Sequence, residues 1–200
     1  MNQFLLGGEC TANHGDCLEI RTIARTPRAD YPADHVVWLD EPVDTQVGDR
    51  VAVIGRVAED PNDPRGIRLQ AENVADYEEK LDMNFCEVSG EMAQPFQYFP
   101  SAEGKRAFGN ILLVVDGDFY MRGAVLTAAA ATFISRSPTI KSGCELQMAG
   151  RIQTRQFEQN GEERESLEIV VDTDKLKVLR KAEDTRKLFD KYRKQTADAI

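Results

Sequence analysis

Two hundred residues, 42% of them hydrophobic and 30% charged, suffice for one large or two small soluble domains. The formal net charge of −9 excludes bulk electrostatic attraction as a way of holding nucleic acid, so any such binding must rest on a local patch. No apolar run nears the roughly 20 residues that span a bilayer, no basic region precedes a long apolar one at the N-terminus, and four irregularly spaced cysteines suit a reducing cytoplasm, nucleoid included, better than a disulfide scaffold.

Residues 2–9, ending in Gly8-Glu9, enclose a short apolar strand. Cys10, His14 and Cys17 follow closely enough to raise a metal site, with His35 as a distant fourth ligand. Structural zinc sites are usually built on closely spaced cysteine pairs. No CxxC occurs, and small buried thiols with a loop histidine are the simpler reading, so no metal and no cofactor is expected. Trp38, in HVVWLD, lies between a strand and a loop and is followed directly by acidic DEPVD. Residues 1–81 hold 16 acidic and 8 basic side chains, so this part reads as a weak nucleic-acid binder or a protein-partner surface.

From Gly48, GDRVAVIGRVAEDPNDPRGIRLQAENV places Gly55-Arg56-Val57 seven residues after a glycine, and Gly66 eleven residues after Gly55. The stretch from Gly143, GCELQMAGRIQTRQFEQNGEERESLEIVV, repeats that spacing with Gly150-Arg151-Ile152 and Gly161. Residues 84–91 repeat residues 2–9 in the same way, from Asn84 to Gly90-Glu91. Self-similarity in register points to a duplicated unit. Each copy reads as a strand ending in Gly-Glu, a loop, two strands, a G-x6-G-R hairpin and a closing strand. Apolar or alternating runs at 51–57, 111–115, 146–152 and 167–171, with dense turn signals between them, predict a mainly β chain. Five short strands per copy suit a closed Greek-key barrel, which leaves no free edge. The expected domains are 1–80 and 82–180, with 181–200 as a C-terminal segment.

In the second copy PFQYFPSAEGKRAFGN carries Phe96, Tyr98, Phe99 and Phe108, with Lys105 and Arg106 interleaved. DGDFYMRG then carries Phe119 and Tyr120 beside Arg122. Arg151, Arg155 and Phe157 occupy odd positions of one strand and share a face if pairing is regular. Single-stranded nucleic acid is held by this combination, because rings stack on bases while guanidinium groups follow the phosphates. Phe108 and Phe119 are expected in the core. Tyr98, Phe99, Tyr120 and Phe157, next to polar or turn residues, are expected outside, and Trp38 is read as the first copy's counterpart of Tyr120. Catalytic signatures are lacking: there is no G-x-x-x-x-G-K-[ST], no H-E-x-x-H and no nucleophile elbow, and Glu162, Glu163 and Glu165 read as a solvated turn. The chain is therefore expected to be no enzyme, with no catalytic residue.

Alanines at 126–134 predict a helix between the third and fourth strands of the second copy. Beyond Leu179, EDTRKLFDKYRKQ predicts a short amphipathic helix capped by Asp184, with Leu188, Phe189 and Tyr192 on one face and packed on its own barrel.

The second copy resembles the bacterial single-stranded DNA-binding protein family. Asn84 to Gly90 is similar to the family's opening strand, Pro95 through Gly104 to its P-x-x-x-Y-x-P-x-G segment, and NILLVV from Asn110 to its N-I-x-L-x-V strand. Its hairpin, G-x-[LI]-x-T-R-x-[WF], is matched by Gly150, Ile152, Thr154, Arg155 and Phe157, with Gly161 and Ile169-Val170-Val171 following. The resemblance implies an OB fold for the second copy and, through the repeat, for the first, so the chain reads as two tandem OB folds, each a five-stranded Greek-key barrel, followed by the short C-terminal helix. It further implies base stacking by Phe157 and Tyr120 and phosphate contacts by Arg151 and Arg155. YMRGAVLTAAAATF departs from the family's W-x-x-V-x-F-G-x-x-A, and a basic helix replaces its flexible acidic-tipped tail. A divergent member, from a mobile element or phage, is the expectation. Its partner would be single-stranded DNA, bound with little sequence preference in replication, repair, recombination or transfer. Because the family assembles four OB folds, a homodimer follows, with replication or transfer proteins as further partners. The rival reading is an OB-fold adaptor of a primosome or conjugation complex that binds DNA weakly or not at all. A third is an RNA- or oligosaccharide-binding OB domain.

Overall fold

The computed structural model describes residues 1–25, 30–60, 62–100, 107–117, 119–159, 161–184 and 187. Strand β1 (Asn2–Asn13) pairs antiparallel with β2 (Cys17–Arg25) through its second half and with β4 (Arg50–Asp60) through its first. β2 pairs antiparallel with β3 (Asp30–Trp38), and β3 meets β5 (Asp63–Asp76) in parallel at Val37–Leu69 and Trp38–Gln70. β5 returns antiparallel to β4, so the order β1-β2-β3-β5-β4-β1 closes on itself as an OB barrel. The alternation that predicts these strands also fills the barrel: on β4, Val51, Val53 and Val57 are buried, while Ile54 and Arg56 between them face out.

The second set repeats this order. Strands β6 (Met83–Met92), β8 (Ala107–Val115), β9 (Phe119–Val125), β11 (Glu162–Val171) and β10 (Glu145–Gln159) are hydrogen-bonded in that sequence, with β10 also pairing β6. Between them lie a short strand β7 (Gln97–Pro100) on β8 and a helix α1 (Ala128–Arg136); β12 (Lys177–Arg180) adds to β10. The chain is therefore mainly β, two tandem OB folds. The helix expected at 126–134 starts two residues later, after an extended Thr127 at its N-cap. The helix expected at 181–200 falls largely outside the described residues.

By their contacts the residues form two compact units, one of Met1–Val88 with Ala149–Val170 and one of Ser89–Met148 with the chain from Val171 on. The first unit thus contains the β10–β11 hairpin as well as the first barrel.

Within that unit β1 also pairs antiparallel with β6, at Asn2–Val88, Phe4–Cys86 and Leu6–Asn84. Asn2 and Asn84 are repeat counterparts, so this register is self-reciprocal with Phe4 and Cys86 at its centre. The two asparagines do the same work. Asn2 Nδ2 donates to the Val57 carbonyl at 2.8 Å and its Oδ1 accepts from the Val57 N–H at 3.0 Å. Asn84 Nδ2 donates to the Ile152 carbonyl at 2.9 Å, and its Oδ1 accepts from the Ile152 N–H at 2.7 Å. Each side-chain amide extends a ladder by one rung at the residue after Gly-Arg.

Two expected correspondences shift. Gly66 lies inside β5 and Gly161 in a turn with φ +81°, because the first hairpin turns between Asp60 and Asp63, where the Asn62 N–H donates to Asp60 Oδ1 at 2.9 Å. Tyr120 corresponds to Asp34 and not to Trp38. A Cβ on Gly8 would fall 2.1 Å from the Arg21 carbonyl oxygen, and one on Gly90 2.1 Å from that of Val114, so Arg21 and Val114 are counterparts. Arg21 faces Asp34 and Val114 faces Tyr120, which leaves Trp38 matched to Ala124.

His35 is buried at the first barrel's inner side. Its Nε2 lies 3.0 Å from Thr22 Oγ1 and accepts from Asn84 Nδ2 at 3.1 Å, so the ring proton sits on Nδ1. Burial, opposed by nearby Asp34, lowers its pKa to about 4. An unfolded histidine takes its proton near 6.5, so stability is full above that pH and falls as pH drops toward 4. The loss should approach about 3 kcal/mol, at about 1.4 kcal/mol per unit. Urea midpoints of the wild type and of His35→Met, the residue Met121 supplies at the matching position, should diverge between pH 6.5 and 4. Parallel pH profiles would assign the loss to carboxylates instead.

Candidate nucleic-acid interface

In the second unit β8 and β9 present one face inward and one outward. Ile111, Leu113, Val115, Met121 and Val125 are buried, and the alternate positions point away from them. Tyr120, 62% exposed, stands on that outer face, and Arg122, opposite Leu112, shares it. Phe108 at the far end of β8 is 47% exposed, against the expectation that it fills the core. The reason is parity: with Ile111, Leu113 and Val115 inward, a residue at an even position of the same strand must face out. Phe119, expected in the core, is buried.

Strand β7 extends this face. Phe99 sits opposite Phe108, and the two rings stack with centroids 4.9 Å apart and planes 18° from parallel. Such a pair contributes roughly 0.5–1.5 kcal/mol beyond its burial and keeps both rings upright. Tyr98 points to the other side of β7, where its hydroxyl lies 3.3 Å from Thr132 Oγ1 on α1. Gly109 opposite Tyr98 is needed because a Cβ there would enter the Phe96 ring at 2.1 Å. Lys105 and Arg106, expected between these rings, lie outside the described residues. Among the described residues the result is a platform of Phe99, Phe108 and Tyr120 with the guanidinium of Arg122 on the same face.

The same face of the first barrel is built differently. Glu19, Arg21, Asp34 and Val36 stand where the second has Leu112, Val114, Tyr120 and Arg122. Arg21 Nε and Nη2 donate to the two oxygens of Asp34 at 2.7 and 3.1 Å, which holds the Asp34 carboxyl below its ordinary pKa. Glu19 lies 3.1 Å from His14 Nε2. Charge on this face is satisfied internally. Trp38 is half-buried with the Arg68 guanidinium 5.4 Å from its ring centroid, so it offers an edge rather than an open ring.

On β10, Arg151, Arg155 and Phe157 stand at alternate positions, and the Arg155 guanidinium lies 5.9 Å from the Phe157 centroid. All three side chains are half-buried, whereas Thr154, Gln156 and Glu158 on the opposite face are exposed. Gln153, on the same side as the arginines, donates to Glu168 Oε1 at 2.6 Å. Arg151 lies 5.9 Å from the ring of Tyr31 on β3, a residue that sequence reasoning passed over. Its repeat counterpart Arg56 faces Glu72 at 3.8 Å, whereas Arg151 makes no ion pair among the described residues.

Cys10, Cys17, Cys86 and Cys144 are all buried free thiols, and burial pushes Cys86 up to about 12, so none presents a thiolate. No described helix is long and apolar enough to cross a membrane.

No protein-family model matches the sequence, and no curated protein sequence does. Solved structures do. The wild-type single-stranded DNA-binding protein from Thermus aquaticus superposes with a TM-score of 0.70 over 89% of this chain and 92% of that one, at 17% identity. A deletion mutant of the same Thermus aquaticus protein matches with a TM-score of 0.69 at 16% identity, covering 89% and 94%. At that identity the likeness establishes the fold, and it agrees with the two OB barrels that the strand order of this chain forms.

Proposed function

We propose that the chain is a non-enzymatic protein that binds single-stranded DNA with little sequence preference and acts in DNA replication, repair or transfer. The observation that carries this reading is the outer face of β7, β8 and β9, where Phe99, Phe108 and Tyr120 are exposed beside Arg122, and where the first barrel places the ion-paired Asp34 at the position of Tyr120. Rings of this kind stack on bases of any identity, and every base has a π-face, so the binding is sequence-tolerant. The hairpin adds Arg151, Arg155 and Phe157 as phosphate and base contacts, and Tyr98 and Trp38 are secondary candidates. Lys105 and Arg106 would supply further charge to the platform. Domains 1–80 and 82–180 each contribute one barrel to this reading. Two chains would assemble four barrels, so a homodimer is the proposed active form.

Titration with oligo-dT, following Trp38 and tyrosine emission, tests this. Three arginines on phosphates should release counterions with a slope of log K against log salt near −2, at about −0.7 per contact on a single strand. Lys105 and Arg106 would steepen it. Sedimentation should return twice the chain mass. An absence of saturable binding at low salt would favour the rival reading, an adaptor whose acidic first barrel meets a protein.

A further inference from the structure

The first barrel's strand ribbon reaches the hairpin, and this gives Tyr31 a role that its own barrel does not need. β2 and β3 pair without interruption from Cys17–Trp38 to Arg25–Asp30, so the ribbon runs beyond the barrel wall and carries Tyr31 opposite Ala24. There Tyr31 is 47% exposed, with no core to fill. Four residues along β3 on the same side, His35 contacts Asn84, whose amide is locked on the Ile152 backbone. The backbone of β10 is thereby fixed beside Arg151, and the Arg151 guanidinium is delivered to 5.9 Å from the Tyr31 ring. Asn2 makes the equivalent clamp on Val57 in the first barrel, where Glu72 faces Arg56, the counterpart of Arg151. At Arg151 a ring stands in place of the acid.

We propose that Tyr31 and Arg151 together form a nucleotide-binding site for one residue of the bound strand, with the tyrosine ring stacking on the base and the guanidinium meeting its phosphate. The site belongs to the reading of this chain as a single-stranded DNA binder and adds to it a contact from the acidic first copy. A solvent-exposed ring paired with an arginine that no described carboxylate neutralises is chemically suited to a nucleotide. A structural pair would be served as well by the Arg56–Glu72 arrangement.

Three variants, Tyr31→Ala, Tyr31→Phe and Arg151→Ala, together with the double Tyr31→Ala/Arg151→Ala, test the site by anisotropy of a labelled oligo-dT. Tyr31→Ala should weaken binding about 5- to 100-fold without changing the salt slope, and Tyr31→Phe should restore it. Arg151→Ala should weaken binding and reduce the slope by about 0.7. Adding Tyr31→Ala to Arg151→Ala should still cost several-fold. No further loss in the double variant would show that the ring acts only by placing the arginine, and would overturn the stacking contact. On the wild-type chain, photocrosslinking to an oligonucleotide bearing 5-iodouracil should yield an adduct on Tyr31, and adducts confined to other peptides would also overturn it. Wild-type protein that does not bind oligo-dT sinks the proposed function itself. Wild-type binding with an unaffected Tyr31→Ala sinks only this site.

Discussion

Replacing Phe108 and Tyr120 together by alanine is expected to lower oligo-dT affinity by about 30- to 25,000-fold. Each ring stacked on a base contributes roughly 1–3 kcal/mol. The two positions act separately: Tyr120 pairs with Val114, six residues along β8 from Phe108. At about 3.3 Å per residue this places them roughly 20 Å apart, beyond the range at which substitutions usually couple. Folding should survive, because the two rings are 47% and 62% exposed and the core beneath them is untouched. Phe99 loses its stacking partner in the variant, so part of the effect passes through a ring that stays in place. Anisotropy of labelled oligo-dT and a thermal melt of the same samples separate the two contributions. Wild-type affinity in the folded double variant would remove this face from the DNA path and leave the hairpin to account for binding.

The largest effect on stability is expected from Gly90→Ala. The added Cβ would lie 2.1 Å from the Val114 carbonyl oxygen, about 1 Å inside any tolerable contact, and the obstacle is backbone. Val114 cannot retreat freely, because the rungs Gly90–Val115 and Glu91–Val114 hold β6 against β8. Overpacking of a strand pair costs about 3 kcal/mol or more, and for a chain of this length roughly 1 kcal/mol shifts the melting temperature by 2–4 °C. A drop of about 6–12 °C is therefore expected. Gly161→Ala is the comparison: its Cβ would meet open space, and its φ of +81° alone costs about 1–2 kcal/mol. Equal melting shifts in the two variants would show that the β6–β8 backbone moves aside.

Asn2 and Asn84, Gly8 and Gly90, and Gly55-Arg56 and Gly150-Arg151 were legible in the sequence as a repeat. The reason is physical where the geometry accepts little else, as at Asn2, Asn84, Gly8, Gly90 and Gly55. Gly8, Gly90 and Gly55 lie against a carbonyl, Gly55 against the Phe4 ring as well, and the asparagines close a rung. The strands were legible because alternation and burial coincide, as on β4. Loop lengths were not. The β4–β5 turn falls at Asn62, the β2–β3 ribbon continues to Arg25 and Asp30, and neither follows from spacing alone. Those lengths moved Gly66 into a strand, matched Tyr120 to Asp34, and brought Tyr31 to Arg151. Phe108 is a different case. The parity of Ile111, Leu113 and Val115 was already sufficient to place it outside, and its neighbouring glycine and apolar run obscured that signal.

The self-reciprocal pairing of β1 with β6 has an evolutionary reach beyond holding strands together. Between two identical chains, a residue on the symmetry axis can only meet its own copy, so a substitution there arrives twice and must suit itself. Here the axis falls between Phe4 and Cys86, a bulky ring facing a small thiol. That combination is closed to an identical pair, and one gene encoding both strands makes each side free to vary alone. The same freedom lets one outer face keep Tyr120 and Arg122 while its counterpart holds Asp34 and Val36. Joining the copies in one chain is what permits the two barrels to specialise.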